Sequence, residues 1–538
     1  MKSQRPAHLR APETMGSGTH PRRIVATNKL VAIVAAVSLA GGFAAGTGGV
    51  LAARHFGYGA GSSAMGTPPG AGGANTMSYD YTGSYSATLT ADGKAATANG
   101  KTLTATATDR NVALAQNGGT LTLADATLNK SGDGTSDDND NFYGTNSIVL
   151  TVGEKSKSII SGSNLTATGS GSNGVFATDS GTALVNDTTI TTSADNSRGL
   201  DATYGGTIMA NAVTATTSGD HSATVATDRG GGSVSITDST LKTSGSGSPL
   251  LYSTGDVQAN GVKGVATGSQ IAGMEGLNTI LINDSTLEST ITSKTASDPV
   301  ANGVIIYQST SGDAEASTGE HATFQAKDST LKSAIESGSM FYFTNTTADV
   351  VLSNTTLDFD SSKAALITAA GNDSNNWGQS GSNGATVNFT GRGQQLAGDI
   401  KADTISTVNL YLLEGSSWSG SATIAKNSAA SDSSTGDAPI TVNVDGTSTW
   451  TVTRNTTISA LHVASGGRVV DSDGNTATIV AGGKTVVQGS GNVTVTVTGS
   501  YSTTVKAGSD TKLAGDDGII DRSAFDKQFG TSTTWSMG

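Results

Sequence analysis

The groups in this chain that could do chemistry are scattered carboxylates and a set of tyrosines. Asp228, Asp256, Glu275, Asp313 and Glu315 lie across the middle of the sequence, with His221 and Arg229 near them. Paired carboxylates would serve acid–base cleavage of a polysaccharide, and carboxylates with Ca²⁺ and an Arg or Lys would serve elimination. The His-Gly and Arg-Ile-Lys strings of polygalacturonase-like enzymes are absent, and the body of the chain holds only His221, His321 and His462. An Asp beside a Gly is ordinarily a turn residue. The reading is therefore a non-catalytic binder, with a polysaccharide lyase or glycoside hydrolase as the alternative. Three or more carboxylates, or a carboxylate–Arg cluster, converging in one groove would favour the enzyme. Tyr252, Asp256, Glu275, Tyr307 and Asp313 are the candidate ligand-binding residues, because tyrosine faces stack on sugar rings and carboxylates accept from their hydroxyls.

The run Asp133-Gly134-Thr135-Ser136-Asp137-Asp138-Asn139-Asp140 supplies hard oxygens. Asp133, Asp137, Asp138 and Asp140 are weak Ca²⁺ candidates, lacking the EF-hand order, and the run reads as a solvated insertion loop. Asp471-Ser472-Asp473-Gly474-Asn475 begins like an EF-hand loop but has Gly482 where the closing Glu belongs, so a tight turn is expected. No cofactor is expected beyond that weak Ca²⁺ option. Cys is absent, which excludes disulfides and thiolate metal sites.

These residues must be positioned by a repeat. Asp125-Ala126-Thr127-Leu128, Asp187-Thr188-Thr189-Ile190, Asp238-Ser239-Thr240-Leu241, Asp284-Ser285-Thr286-Leu287, Asp328-Ser329-Thr330-Leu331 and Asn354-Thr355-Thr356-Leu357 are one phrase. Equivalent apolar positions run through Leu128, Leu165, Ile190, Val213, Leu241, Val262 and Leu287, and after a first interval of 37 residues the spacing is roughly 21 to 28, a solenoid period. Val and Ile alternate with Thr and Ser, as in Ser233-Val234-Ser235-Ile236, which argues strands. A leucine-rich repeat would need a Leu-x-x-Leu-x-Leu frame that is missing. The fold class is all-β: a right-handed parallel β-helix, preceded by an N-terminal hydrophobic signal or membrane-spanning helix. Stacked rungs put Leu inward about 4.8 Å apart and ladder the polar turn residues. Trp450 is expected to cover the open end, and the tail with Phe525 to form a short capping helix. Tyr204, Tyr252, Tyr307, Phe341, Tyr342 and Phe343 recur in the apolar run of the coils. Their place among Val, Leu and Ile favours an inward stack over an exposed stripe.

The first 54 residues carry seven Lys or Arg against Glu13, and an uncharged stretch runs from Leu30 to Ala53. That is the order of an export signal, long enough to span a bilayer if uncleaved. Residues 1–56 are read as basic N-terminus and export signal or anchor, 57–78 as a Gly/Ser/Pro linker, 79–509 as the β-helix and 510–538 as a cap or tail. Net charge is −13, and the rest of the chain has 24 Lys plus Arg against 43 Asp plus Glu. Such a surface disfavours nucleic acid.

Specific strings add a resemblance. Ala226-Thr227-Asp228-Arg229-Gly230, Leu251-Tyr252-Ser253-Thr254-Gly255-Asp256-Val257, Glu275-Gly276-Leu277-Asn278, Ile306-Tyr307-Gln308-Ser309, Phe341-Tyr342-Phe343-Thr344-Asn345 and Trp377-Gly378-Gln379-Ser380 are among them. Together they resemble a family of predicted microbial right-handed β-helix surface proteins without assigned activity. Ser448-Thr449-Trp450-Thr451-Val452-Thr453 is similar to the end of pertactin-like autotransporter passengers. The resemblance implies a cell-surface, adhesin-like or structural rod binding polysaccharide or a host or cell-surface partner. No membrane β-barrel follows in this sequence, so export would rest on the N-terminal segment.

Overall fold

Each rung of the computed structural model is three short strands, and strands recurring one rung later pair in parallel. The described residues are 78–309, 321–373, 377–431 and 439–538. A 13-stranded, a 15-stranded and a 10-stranded sheet run along the coil. In one rung they are represented by Val175–Thr178, Thr182–Asn186 and Thr189–Thr192, and Leu200–Ala202, Thr207–Asn211 and Thr214–Thr217 stack on these residue for residue. We call these the first, second and third sheets. The chain is a parallel β-solenoid.

Alternate residues of each strand point into a single core, so Val175, Ala183 and Ile190 are buried in it together, as are Ile236, Leu241 and Leu251 of a later rung. The repeated phrase is the corner between second and third sheets. Asp125, Asp187, Asp238, Asp284 and Asp328 adopt φ between 44° and 52°, and Asn354 takes 46°. Left-handed backbone favours Asn, Asp and Gly, which is why Gly100, Gly162, Gly261 and Gly393 take the same position in other rungs, although Ala212 also takes it at φ 52°. In several rungs the next residue is a serine whose hydroxyl closes the corner twice. Ser239 Oγ donates to Thr237 O at 2.6 Å and accepts from Val213 N of the preceding rung at 2.9 Å. Ser285 repeats this with Asn283 O and Val262 N. Asn side chains also ladder, Asn211 Nδ2 donating to Asn186 Oδ1 at 2.9 Å.

Several expectations are corrected here. Val213 and Val262 are not in the leucine row: they take the corner position of Ser239, and Ala215 and Gly264 stand opposite Leu241. A branched apolar residue fits that corner because its N–H, not its side chain, is what the hydroxyl of the next rung needs. Trp450 does not end the coil. It stacks on Trp418 inside the core, centroids 4.8 Å apart and planes at 12°, and Val469, Ile479 and Val495 continue the core past it. The final sheet closes with the antiparallel pair Thr478–Ala481 and Lys484–Val487, which ends the parallel ladder.

The acidic run is partly helical, α1 (Asp137–Tyr143), with Ser136 as its cap and Gly144 at its end in left-handed conformation. It lies against the outside of the first sheet. A second helix, α2 (Ser523–Phe529), does form in the tail, but the tail packs along the outside of the second sheet. The third sheet bears exposed or half-buried Thr and Asn in its outward positions, as at Thr102, Asn164, Thr189 and Thr214. No helix among the described residues is long and apolar enough to cross a membrane; residues 30–53 lie outside them.

Candidate functional site on the first sheet

The first sheet's outward residues form a ladder that changes character along the coil. It starts apolar with Leu114, Leu150 and Phe176, becomes Asp201 and Ala226, and continues as Tyr252, Gly273, Ile305 and Tyr342. The recurrent aromatic strings therefore split by the two-residue period of a strand. Phe341 and Phe343 face the core, as expected, but Tyr252, Tyr307 and Tyr342 face outward. Tyr204 also leaves the core, stacking on Tyr143 of α1 at 5.5 Å with planes 4° apart.

Three of the five candidate ligand-binding residues come together. Glu275 ends Ala272–Glu275 and is 4% exposed. Its Oε2 accepts from Tyr252 Oη at 2.8 Å and from Tyr307 Oη at 3.1 Å, and its Oε1 accepts from Ser309 Oγ. Asn278 Nδ2 donates to the Glu275 carbonyl at 2.6 Å. One carboxylate thus fastens two tyrosines from neighbouring strands. Both phenols are held well above their ordinary pKa, by burial first and by the adjacent Glu275 charge next, so they remain protonated donors. Their rings are partly exposed. Tyr307 is backed by Trp377, with centroids 4.4 Å apart. Gly273 lies between Tyr252 and Ile305. Gly273 is buried, and a Cβ there would meet the side chains of Gln270, Tyr252 and Ile305 at 3.5, 3.6 and 3.7 Å, ordinary contacts.

Asp256 is not part of this group. It opens Asp256–Asn260 on the second sheet, beyond the corner at Gly255, where Gln258 Nε2 donates to its Oδ1 at 3.1 Å and its Oδ2 at 3.0 Å. Burial pushes its carboxyl up to about 7. Asp313 lies outside the described residues.

A carboxylate–arginine cluster sits two rungs away, and its Arg198 and Asp201 were not among the sequence candidates. Arg198 Nη2 donates to Asp228 Oδ2 at 2.9 Å, and its Nε stands 3.6 Å from Asp201 Oδ2. Asp201 is fully buried, and burial, reinforced by Asp228 and opposed by Arg198, pushes its carboxyl well above the usual range. α1 closes this cluster over. Asn141 Oδ1 accepts from Arg198, Phe142 O accepts from Thr203 Oγ1 at 2.8 Å, and the Arg229 guanidinium stacks on the Phe142 ring at 3.8 Å. The available sequence signal was an Asp in the outward ladder position that Leu150 and Phe176 occupy in earlier rungs.

The Ca²⁺ candidates do not converge. Asp133 accepts from Ser170 N, Asp137 and Asp138 lie in the first turn of α1, and Asp140 is buried beneath it. Asp137 and Asp138 at the helix start complement its dipole. Among the described residues no three His, Cys, Asp or Glu are placed to hold a metal. The Asp471 run is a tight turn in which its carboxylate accepts from Asp473 N and Asn475 N. A groove of about 910 Å³ near the last rungs is lined by Thr423, Arg454, Thr456, Thr494 and Thr496 and contains no carboxylate.

No family model matches this chain, and no curated protein matches it. The likeness that holds is to β-solenoids in general, a scaffold of the kind used by surface, structural and adhesin proteins.

Proposed function

We propose that this is an exported, surface-displayed β-solenoid of the adhesin-like or structural kind, binding a polysaccharide or surface partner without catalysis. The finer resemblance, to right-handed β-helix surface proteins and pertactin-like passengers, belongs to this reading, as does export or anchoring by residues 30–53. The observation that carries it is the Glu275 fastening of Tyr252 and Tyr307. Two partly exposed rings held by a buried carboxylate lose little side-chain entropy when a sugar stacks on them. The partly exposed Tyr252 and Tyr307 rings supply faces on which a sugar can stack.

The enzyme reading finds its carboxylate–Arg cluster in Arg198, Asp201 and Asp228, but that cluster is buried under α1 and opens into no groove. Binding is favoured for that reason. The test is a glycan array with the secreted chain, run alongside a depolymerisation assay on every glycan that binds. Tyr252→Ala and Tyr307→Ala should each weaken binding about tenfold, the effect of roughly 1.4 kcal/mol. Release of new reducing ends, abolished by Asp228→Asn, would overturn the non-catalytic reading.

A further inference from the structure

The second sheet's outward ladder runs Met209, Ser235, Gln258, Leu281, Gln325 and Val351. In a bare solenoid face these would be exposed, yet from Ser235 to Val351 all are buried. The tail covers them. It leaves the last rung at Ser502, touches down at the 3-10 turn Ser509–Thr511, and runs back towards earlier rungs. Each contact is specific. Gln325 takes both sides of one residue pair, its Nε2 donating to Lys512 O and its Oε1 accepting from Ala514 N. Gln258 does the same with Gly518 O and Ile520 N. Arg522, 1% exposed, donates to Ala210 O, Ser235 O, Ser235 Oγ and Thr237 Oγ1. Met537 and Ala514 bury Leu281 between them.

None of this belongs to the solenoid itself. No strand forms after Ser502 among the described residues, so the tail adds no ladder bonds. Its apolar contacts make a separate small cluster, and the main core contains no residue of the tail. The coil is complete without it. The face is a peptide-reading surface and the tail is its ligand.

The tether is short. Four strand spacings of about 4.8 Å, roughly 19 Å, separate the Tyr501–Ser502 strand from the Ala385–Arg392 strand. Arg392 Nη1 donates to Thr511 O of the tail at 2.9 Å. Seven Cα steps from Ser502 to Ser509 reach about 25 Å at full extension. Short hinge segments near their limit favour exchange of an element between copies. We propose that the outer face of the second sheet recognises residues 509–538 in trans as well as in cis, so that two copies of this chain are joined by exchanging tails.

Two experiments test this on the full chain. Arg522→Ala loosens the resident tail and leaves the face intact. That variant should bind a fluorescent peptide of residues 509–538, and the same peptide carrying Arg522→Ala should bind at least tenfold more weakly. Absence of binding by a variant that still melts cooperatively, or equal binding of both peptides, would overturn the proposal. Deleting Thr504, Val505 and Lys506 leaves four steps, at most about 14 Å, too short for the tail to reach its own face. This chain should sediment as a dimer, and adding Arg522→Ala should return it to monomer. A monomeric deletion variant, or a dimer indifferent to Arg522→Ala, would sink the idea.

Discussion

Asp140→Asn tests whether α1 is seated by a carboxyl that must keep its proton. Asp140 is 1% exposed, its Oδ1 accepts from Thr145 Oγ1 at 2.5 Å, and its Oδ2 has no hydrogen-bond partner. The backbones of Gly134 and Gly171 press on that oxygen so closely that a Cβ at either would fall within 1.6 and 2.3 Å of it. Burial pushes the carboxyl from 3.8 up to about 7, with the Thr145 hydroxyl opposing. The folded pKa is therefore the higher one. Between about pH 4 and 7 the seated helix retains a proton that the released helix has lost, so seating weakens as pH rises and levels off above 7. A shift of roughly three units corresponds to at most about 4 kcal/mol, and water entering the site would reduce it to about 2. Amide exchange across Asp137–Tyr143, corrected for intrinsic rates, should show that loss between pH 4.5 and 7.5. Asp140→Asn, neutral and nearly isosteric, should flatten it to below about 1 kcal/mol. An equally steep profile in the variant would refute the account. The outcome reaches the neighbouring cluster, because Asn141 and Phe142 of the same helix cover Arg198, Asp201 and Asp228.

Other expectations are simpler. Trp450→Ala removes a fully buried ring stacked on Trp418 and should cost about 3–5 kcal/mol in a denaturant melt, with the late rungs affected most. At the corner, Asp238→Gly should be tolerated within about 0.5 kcal/mol, whereas Asp238→Val should cost about 1–2 kcal/mol because φ there is 48°. Ser239→Ala strands the buried N–H of Val213 and should cost about 1–3 kcal/mol by the same melt.

The scaffold was legible because stacking makes every rung obey the same rule. Where the phrase is written out as Asp-Ser-Thr-Leu, its turn residue, outward Thr and inward Leu follow from residue type, but the rungs with Ala212-Val213 and Gly261-Val262 carry the same corner on other residues. The site was legible only in part. Tyr252, Glu275 and Tyr307 meet because register places Glu275 opposite Tyr307 and Gly273 opposite Tyr252. Asp256 lies only four residues beyond Tyr252, but the corner at Gly255 turns it onto another sheet. The aromatic strings misled for a related reason: in Phe341-Tyr342-Phe343 the outer two face the core and the middle one does not, and composition does not reveal that phase. Arg198 and the tail's hold on Gln258 and Gln325 join residues far apart in the chain, which no local pattern encodes.

The three outer faces differ in what already occupies them, and that difference bears on where a ligand can bind. The middle of the second face, from Ser235 to Val351, is filled by the tail, whose Arg522 and Met537 are as buried as core residues. The start of the first face is filled by α1 and the tyrosines that pack on it, Tyr79 and Tyr204. The third face is uncovered, but its Thr and Asn residues offer no charge and no ring in the early rungs. The proposed binding stretch is the part of the first face around Tyr252 and Tyr307. There the two rings are large, held by the buried Glu275 and still partly in contact with solvent. Rigid aromatic groups of that kind supply most of the energy at recognition surfaces because little freedom is lost when they are engaged.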